Sequence, residues 1–307
     1  MNLKLFIATV LLFSVSCGAP KSQQTDPRPA AAPQTQVHKE AWAWKGQNGT
    51  NVLTDGWNIK TTITYEHIVD SLPTFYESLL KHYSTVFGEL PYPQERLNVF
   101  LFADEPQWQQ KVVELLGDEA CQWEGLGRGG LTIDGTAVLY HLDSRGRSRA
   151  TFRIAAHEGW HQYAEAVLQD CLPTWLDEGI GTWMEGFRIR RGVLEFQPAS
   201  NWDRLSTLRT IVASDRLTSL PSLLSSEPNT LLAQSRGALL GYYAQLWALT
   251  SFIMEYNDGQ YRPALRRILT DALNGPLREP RRHPVWFLAF TEDQLEIEEE
   301  YIFSYLT

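Results

Sequence analysis

The stretch AAHEGWHQYAEAVLQDCLPTWLDEG (155–179) constrains this chain more than any other part of it. Residues four apart on a helix share one face, so His157 and His161 can aim both imidazoles at one point. Pro173 is a favoured first helical residue and marks the start of a second helix carrying Glu178. The segment AEAVLQDCL between them leaves room for one helix to end and the chain to turn. The fold must therefore hold two helices against each other here. Packed that way, they would bring Glu178 to the two histidines.

Two neutral imidazoles are good zinc ligands, and a site built from protein needs at least one more. Glu158 is rotated about 100° from His157 around the helix. It is poorly placed as a ligand but able to reach a water on the metal, the position of a general base. The pattern H-E-x-x-H is short enough to arise by chance, and two histidines can simply form the polar edge of a core. Glu178 is what lifts the pattern above that reading.

Composition narrows the function classes. The 307 residues carry a formal charge of -9 and a pI near 5.3, which argues against nucleic acid as a partner. The basic clusters RIRRG (188–192) and PRRHP (280–284) are too short to reverse that balance. The start, MNLKLFIATVLLFSVSCGAP, has one lysine, an apolar run from Leu5 to about Val15, small residues and Cys17. The run has the length of a signal-peptide core and is short for a membrane span. With its cysteine it resembles a bacterial lipoprotein signal, in which residues 1–17 are the leader and Cys17 is lipidated. Residues 18–40 are rich in Pro, Ala, Gln and Ser, and read as a disordered tether. The expected place is outside the cytoplasm, on a membrane facing the periplasm or cell surface. In an oxidising compartment Cys121 and Cys171 can pair with each other, a bridge contributing about 3–5 kcal/mol. The alternative is two buried free thiols.

The expected fold class is α+β over 41–307, with an α+β part at about 41–148 and a mainly helical part at 149–307 holding the metal site. Strands are expected at 58–64, 96–104 and 136–142, with helices at 65–88 (interrupted near Pro73) and 105–117. Further helices are expected at 149–169, 173–188, 202–214, 237–256, 259–273 and 292–305. The uncharged run 238–254 sits at the lower limit for a membrane span and is read as a buried core helix. The acidic run EIEEEY (296–301) is read as a solvated face of the last helix.

HEGWH followed by LPTWLDEGIGTWMEG resembles the gluzincin zinc peptidases, whose third ligand is a glutamate in a W-L-x-E-G context. RLNVFLFAD, AAHEGWHQ, LPTWLDEGIGTWME and YAQLWALTSFIM, in this order, are similar to a bacterial family of unknown function in the peptidase-MA clan. The similarity runs over roughly 55–305. It implies one Zn2+ held by His157, His161 and Glu178, Glu158 as catalytic base, and a peptide or protein as substrate. It also implies an oxyanion donor on a downstream helix, for which Tyr243 is the candidate beside Tyr242, against the alternative of core packing. Some gluzincins carry an aspartate one turn after the ligand glutamate to orient a histidine. Thr182 stands there, which leaves the partners of both imidazoles unassigned.

Gluzincins commonly add extended substrates to a sheet edge, and 136–142 is the strand considered for that role, with an ordinary core strand as the alternative. His141 is read as a strand histidine before a site residue. Trp160, Trp175 and Trp183 either shape a subsite or pack the two helices. The second reading of the whole chain is a catalytically silent surface lipoprotein that keeps the peptidase fold as a binding or scaffold protein.

Overall fold

Alternating side chains divide the central sheet between two cores. Leu97, Val99 and Leu101 enter the large core, while Phe102 and the half-buried Phe100 join a smaller aromatic cluster on the other face. The computed structural model describes residues 36–118, 120, 129–143, 146–168, 172–190 and 193–275. The expected leader with Cys17, the expected tether up to residue 35, Cys121, Cys171, the expected helix 292–305 and EIEEEY lie outside the described residues.

Strands β1 (His38–Trp44), β2 (Gln47–Leu53) and β3 (Trp57–Thr61) form an antiparallel meander. Then follow α1 (Glu66–Thr85), β4 (Leu97–Phe102), α2 (Glu105–Leu116), β5 (Gly130–Ile133) and β6 (Thr136–Tyr140). Among the described residues the sheet has six strands in the order β1-β2-β3-β4-β6-β5. β3, β4 and β6 run parallel, and β5 returns antiparallel to β6 as an edge. β6 is thus an interior strand. The open edge expected at 136–142 belongs instead to the preceding β5, hidden in the sequence by its glycines.

β1 starts at His38, inside the stretch expected to be tether up to residue 40. Helix α1 runs unbroken through Pro73, contrary to expectation. An interior proline costs about 3 kcal/mol. Here Leu72, Phe75, Tyr76, Leu79, Leu80 and Tyr83 are all buried along the same helix, and that packing outweighs it. Helix α2 matches its expected span, with the Asp104 side chain accepting from the Gln107 N–H at its start.

The rest of the described chain is mainly helical: α3 (Arg149–Leu168), α4 (Thr174–Met184), α5 (Trp202–Ala213), α6 (Leu220–Ser225), α7 (Pro228–Gln234), α8 (Arg236–Glu255) and α9 (Arg262–Asn274). The helix expected over 173–188 ends at Met184, and a hairpin of β7 (Phe187–Arg190) and β8 (Val193–Phe196) follows. Gly186 permits the change of direction, since a Cβ there would lie 2.4 Å from Pro198 Cα. Helix α8 is buried over most of its surface and packs on α4, α5 and α7. Among the described residues no helix is long and apolar enough to cross a membrane.

Candidate metal centre

Helix α3 lies against the sheet and α1, so most of its sides are covered. Gly159 makes this possible. Glycine inside a helix costs about 1 kcal/mol relative to alanine. A Cβ at Gly159, however, would lie 2.9 Å from the Tyr83 hydroxyl, which donates to the Ala156 carbonyl at 2.7 Å. Helix α4 packs across α3, and Gly181 on it faces the His157 ring, whose Cε1 would be 3.1 Å from a Cβ. Trp160, Trp175 and Trp183 are buried and pack the interior.

This packing brings His157, His161 and Glu178 together, with one ligand atom of each within 4.8 Å of the others. Glu178 Oε2 is 3.2 Å from His157 Nε2 and 3.5 Å from His161 Nε2. Tetrahedral ligands at about 2.1 Å from a zinc ion stand about 3.4 Å apart, which the two spacings to Glu178 match. Two imidazoles and a carboxylate are also the donor types that zinc accepts.

The far nitrogens of both rings have carboxylate partners that sequence reasoning did not find. His161 Nδ1 is 2.7 Å from Asp177 Oδ2, and Asp177 Oδ1 accepts from Trp160 Nε1 at 2.7 Å. His157 Nδ1 is 3.1 Å from Glu185 Oε1. Thr182, the residue at the position considered for such a partner, instead bonds its own helix at the Gly179 carbonyl. The signals were present. Asp177 adjoins the candidate ligand Glu178, and Glu185 lies seven residues past Glu178, two helical turns along the same face.

Charge balance follows from this arrangement. Burial opposes a charged imidazole at His157, but Glu178 and Glu185 outweigh it and push the ring up to about 9. At His161 burial is likewise outweighed, by Asp177 and Glu178, and the ring is held well above its ordinary value. Glu178 is held well below the carboxylate range, because the two imidazoles overcome its burial. Burial also works against a charged Glu185, yet Arg204 and His157 hold it down to about 2. Two imidazole protons supply the positive charge that one divalent cation would bring.

Glu158 sits beside this group, buried, with Oε2 accepting from Thr132 Oγ1 at 2.9 Å. Thr132 belongs to the edge strand β5. Tyr243 on α8 presents its ring edge-on to His157, with centroids 6.0 Å apart. Burial and the Glu178 charge raise its phenol well above the ordinary value, so it keeps its proton and remains a donor at neutral pH. Tyr242 points elsewhere, with its hydroxyl donating to the Ser226 carbonyl at 3.3 Å. His141 is also apart, held by Thr151 Oγ1 at 3.2 Å near the start of α3.

His157, Glu158, His161, Glu178 and Tyr243 all line one cleft of about 490 Å³, bordered by β5 and the start of α7. No protein-family model matches this chain, and no curated protein matches it.

Proposed function

We propose that this protein is a zinc peptidase that binds an extended peptide in the cleft beside β5. The observation that carries the reading is the convergence of His157, His161 and Glu178 within 4.8 Å, with Glu158 and Tyr243 on the same cleft. His157, His161 and Glu178 would hold the ion. When bound, zinc supplies Lewis-acid polarisation of water and carbonyl, lowering the pKa of water toward about 7.

The chain's own groups supply the rest. Glu158 takes the proton from the attacking water as the scissile carbonyl is attacked, then passes it to the leaving amine. Thr132 holds the Glu158 carboxylate by the bond to Oε2. The Tyr243 hydroxyl donates to the oxyanion that develops on the carbonyl. The edge of β5, unpaired among the described residues, offers backbone groups to an extended substrate, with Gly130 leaving room next to Glu158. The leader sequence supports a place outside the cytoplasm, on a lipid anchor at Cys17.

The test is Glu158→Gln in the full chain, with zinc counted by mass spectrometry and turnover followed on a mixed protein substrate. One zinc per chain in both proteins, with hydrolysis abolished in the variant and chelator-sensitive in the wild type, is the expected result. Hydrolysis surviving the substitution, or a wild type without stoichiometric metal, overturns the reading. Metal without turnover in the wild type would point to a silent scaffold.

A further inference from the structure

We propose that Arg204 is a positioning residue that fixes His157 and Tyr243 at once, coupling metal binding to the oxyanion donor. The proposal rests on the zinc peptidase reading and extends it to a residue on α5, outside the two-helix motif.

Arg204 approaches Glu185 with both ends of its guanidinium fork. Nε donates to Oε2 at 3.0 Å and Nη2 to Oε1 at 2.5 Å. Such a fork admits one orientation of the carboxylate, which a lysine would not enforce. Asn201 Nδ2 donates to Oε2 at 3.0 Å, and the same nitrogen lies 3.4 Å from the Thr182 carbonyl. Glu185 therefore meets donors on both oxygens before it meets His157 Nδ1 at 3.1 Å. It stands just past the end of α4, where the helix alone does not fix a side chain. Arg204 and Asn201 supply what the helix does not.

The same guanidinium lies 5.1 Å from the Tyr243 ring centroid, within cation–π range. Tyr243 is thus set between Arg204 on its face and the His157 ring at 6.0 Å. The pair is well removed from water, with side-chain exposures of 13% for Arg204 and 5% for Glu185. Moving the guanidinium releases both the carboxylate behind His157 and the ring carrying the hydroxyl.

The experiment compares Glu185→Gln, Tyr243→Phe, Arg204→Lys and the Arg204→Lys/Tyr243→Phe double variant in the full chain. Zinc affinity is measured by competition with a chromogenic chelator, the visible band of the Co2+ form reports ligand geometry, and kcat and KM are taken at saturating zinc. Glu185→Gln should weaken zinc by about 10–100-fold and shift the Co2+ band. Tyr243→Phe should lower kcat by about 100–1000-fold with zinc affinity unchanged. Arg204→Lys should do both, and in the double variant kcat should fall no further than in Tyr243→Phe.

Wild-type zinc affinity and Co2+ band in Arg204→Lys, or kcat losses that multiply, would overturn the coupling even if melting temperature fell. Removing one partner of a buried pair can unfold a protein. Should Arg204→Lys fail to fold, Glu185→Gln/Arg204→Met leaves no charge of this pair buried, and its kcat at saturating zinc should fall below that of Glu185→Gln alone, whereas equal kcat values would overturn the coupling. A wild type that binds no metal defeats the zinc reading itself. A wild type that binds metal without turnover leaves the affinity and Co2+ arms to decide the Arg204–His157 link, and defeats the link to catalysis.

Discussion

The two flanks of the candidate metal centre solve one problem with different materials. On the His161 side the imidazole leans on Asp177, a neighbour in sequence of the candidate ligand Glu178 and itself steadied by Trp160. On the His157 side it leans on Glu185, which is in turn held by Arg204 and Asn201 from the start of α5 and the turn before it. Side-chain exposure separates the two carboxylates, at 27% for Asp177 and 5% for Glu185. One flank is local and partly wet, and the other is long-range and dry. A buried charge deprived of its partner is costly, whereas one near water can be rehydrated. The flanks should therefore fail differently.

The largest effect expected is one that both flanks share. Glu178→Ala removes the oxygen facing both Nε2 atoms, so zinc affinity should fall by more than the roughly 100-fold limit for changes behind the ligands. Chelator competition measures it, and retention of tight binding would show that Glu178 is not a ligand. The next effect separates the flanks. Glu185→Gln leaves Arg204 without its counter-charge and should cost about 3 kcal/mol in the metal-free protein. Asp177→Asn keeps an oxygen for Trp160 Nε1 and should cost about 1 kcal/mol or less. Urea unfolding of the two variants compares them directly. Equal losses would erase the distinction between a dry flank and a wet one.

The same contrast explains what was legible in the sequence. His157, Glu158, His161 and Glu178 were readable because periodic spacing within two helices fixes their relation. The structure brings the three ligand candidates to one place with Glu158 beside them. Tyr243 was open between cleft and core, and the structure sets it on the cleft. Arg204 was not readable, because its partnership depends on how α5 docks, which no local pattern encodes. Asp177 and Glu185 carry local signals, but the position one turn after Glu178 holds Thr182, which leaves the partners of both imidazoles unassigned in the sequence. In the fold, the alternating strand β4 and the long helices were plain. Edge strand β5 and hairpin β7–β8 were obscured by short, glycine-bearing stretches whose pairing is set by distant partners. Helix α1 crosses Pro73 because a buried face decides the matter, and propensity alone points the other way.

The last effect tests whether the carboxylates, and not burial, make the two site histidines unusual. His82 is the internal control, half-buried between Phe196 and Trp183 with no acidic partner for its ring among the described residues. Burial alone lowers it to about 4, the reverse of the rise to about 9 at His157. The signs then follow from linkage. A depressed histidine binds its proton more readily in the unfolded chain, so its stability is complete above the ordinary value near 6.5. It is lost as pH falls from there toward 4, at up to about 1.4 kcal/mol per pH unit. The raised His157 in the metal-free protein behaves oppositely, contributing fully below 6.5 and losing its contribution as pH rises through about 9. His82→Phe keeps the stacked ring and removes the proton site. Between pH 7.5 and 5 the wild type should lose about 2 kcal/mol more stability to urea than this variant. Parallel pH profiles would mean that burial does not set the His82 proton, and the contrast with His157 would lose its control.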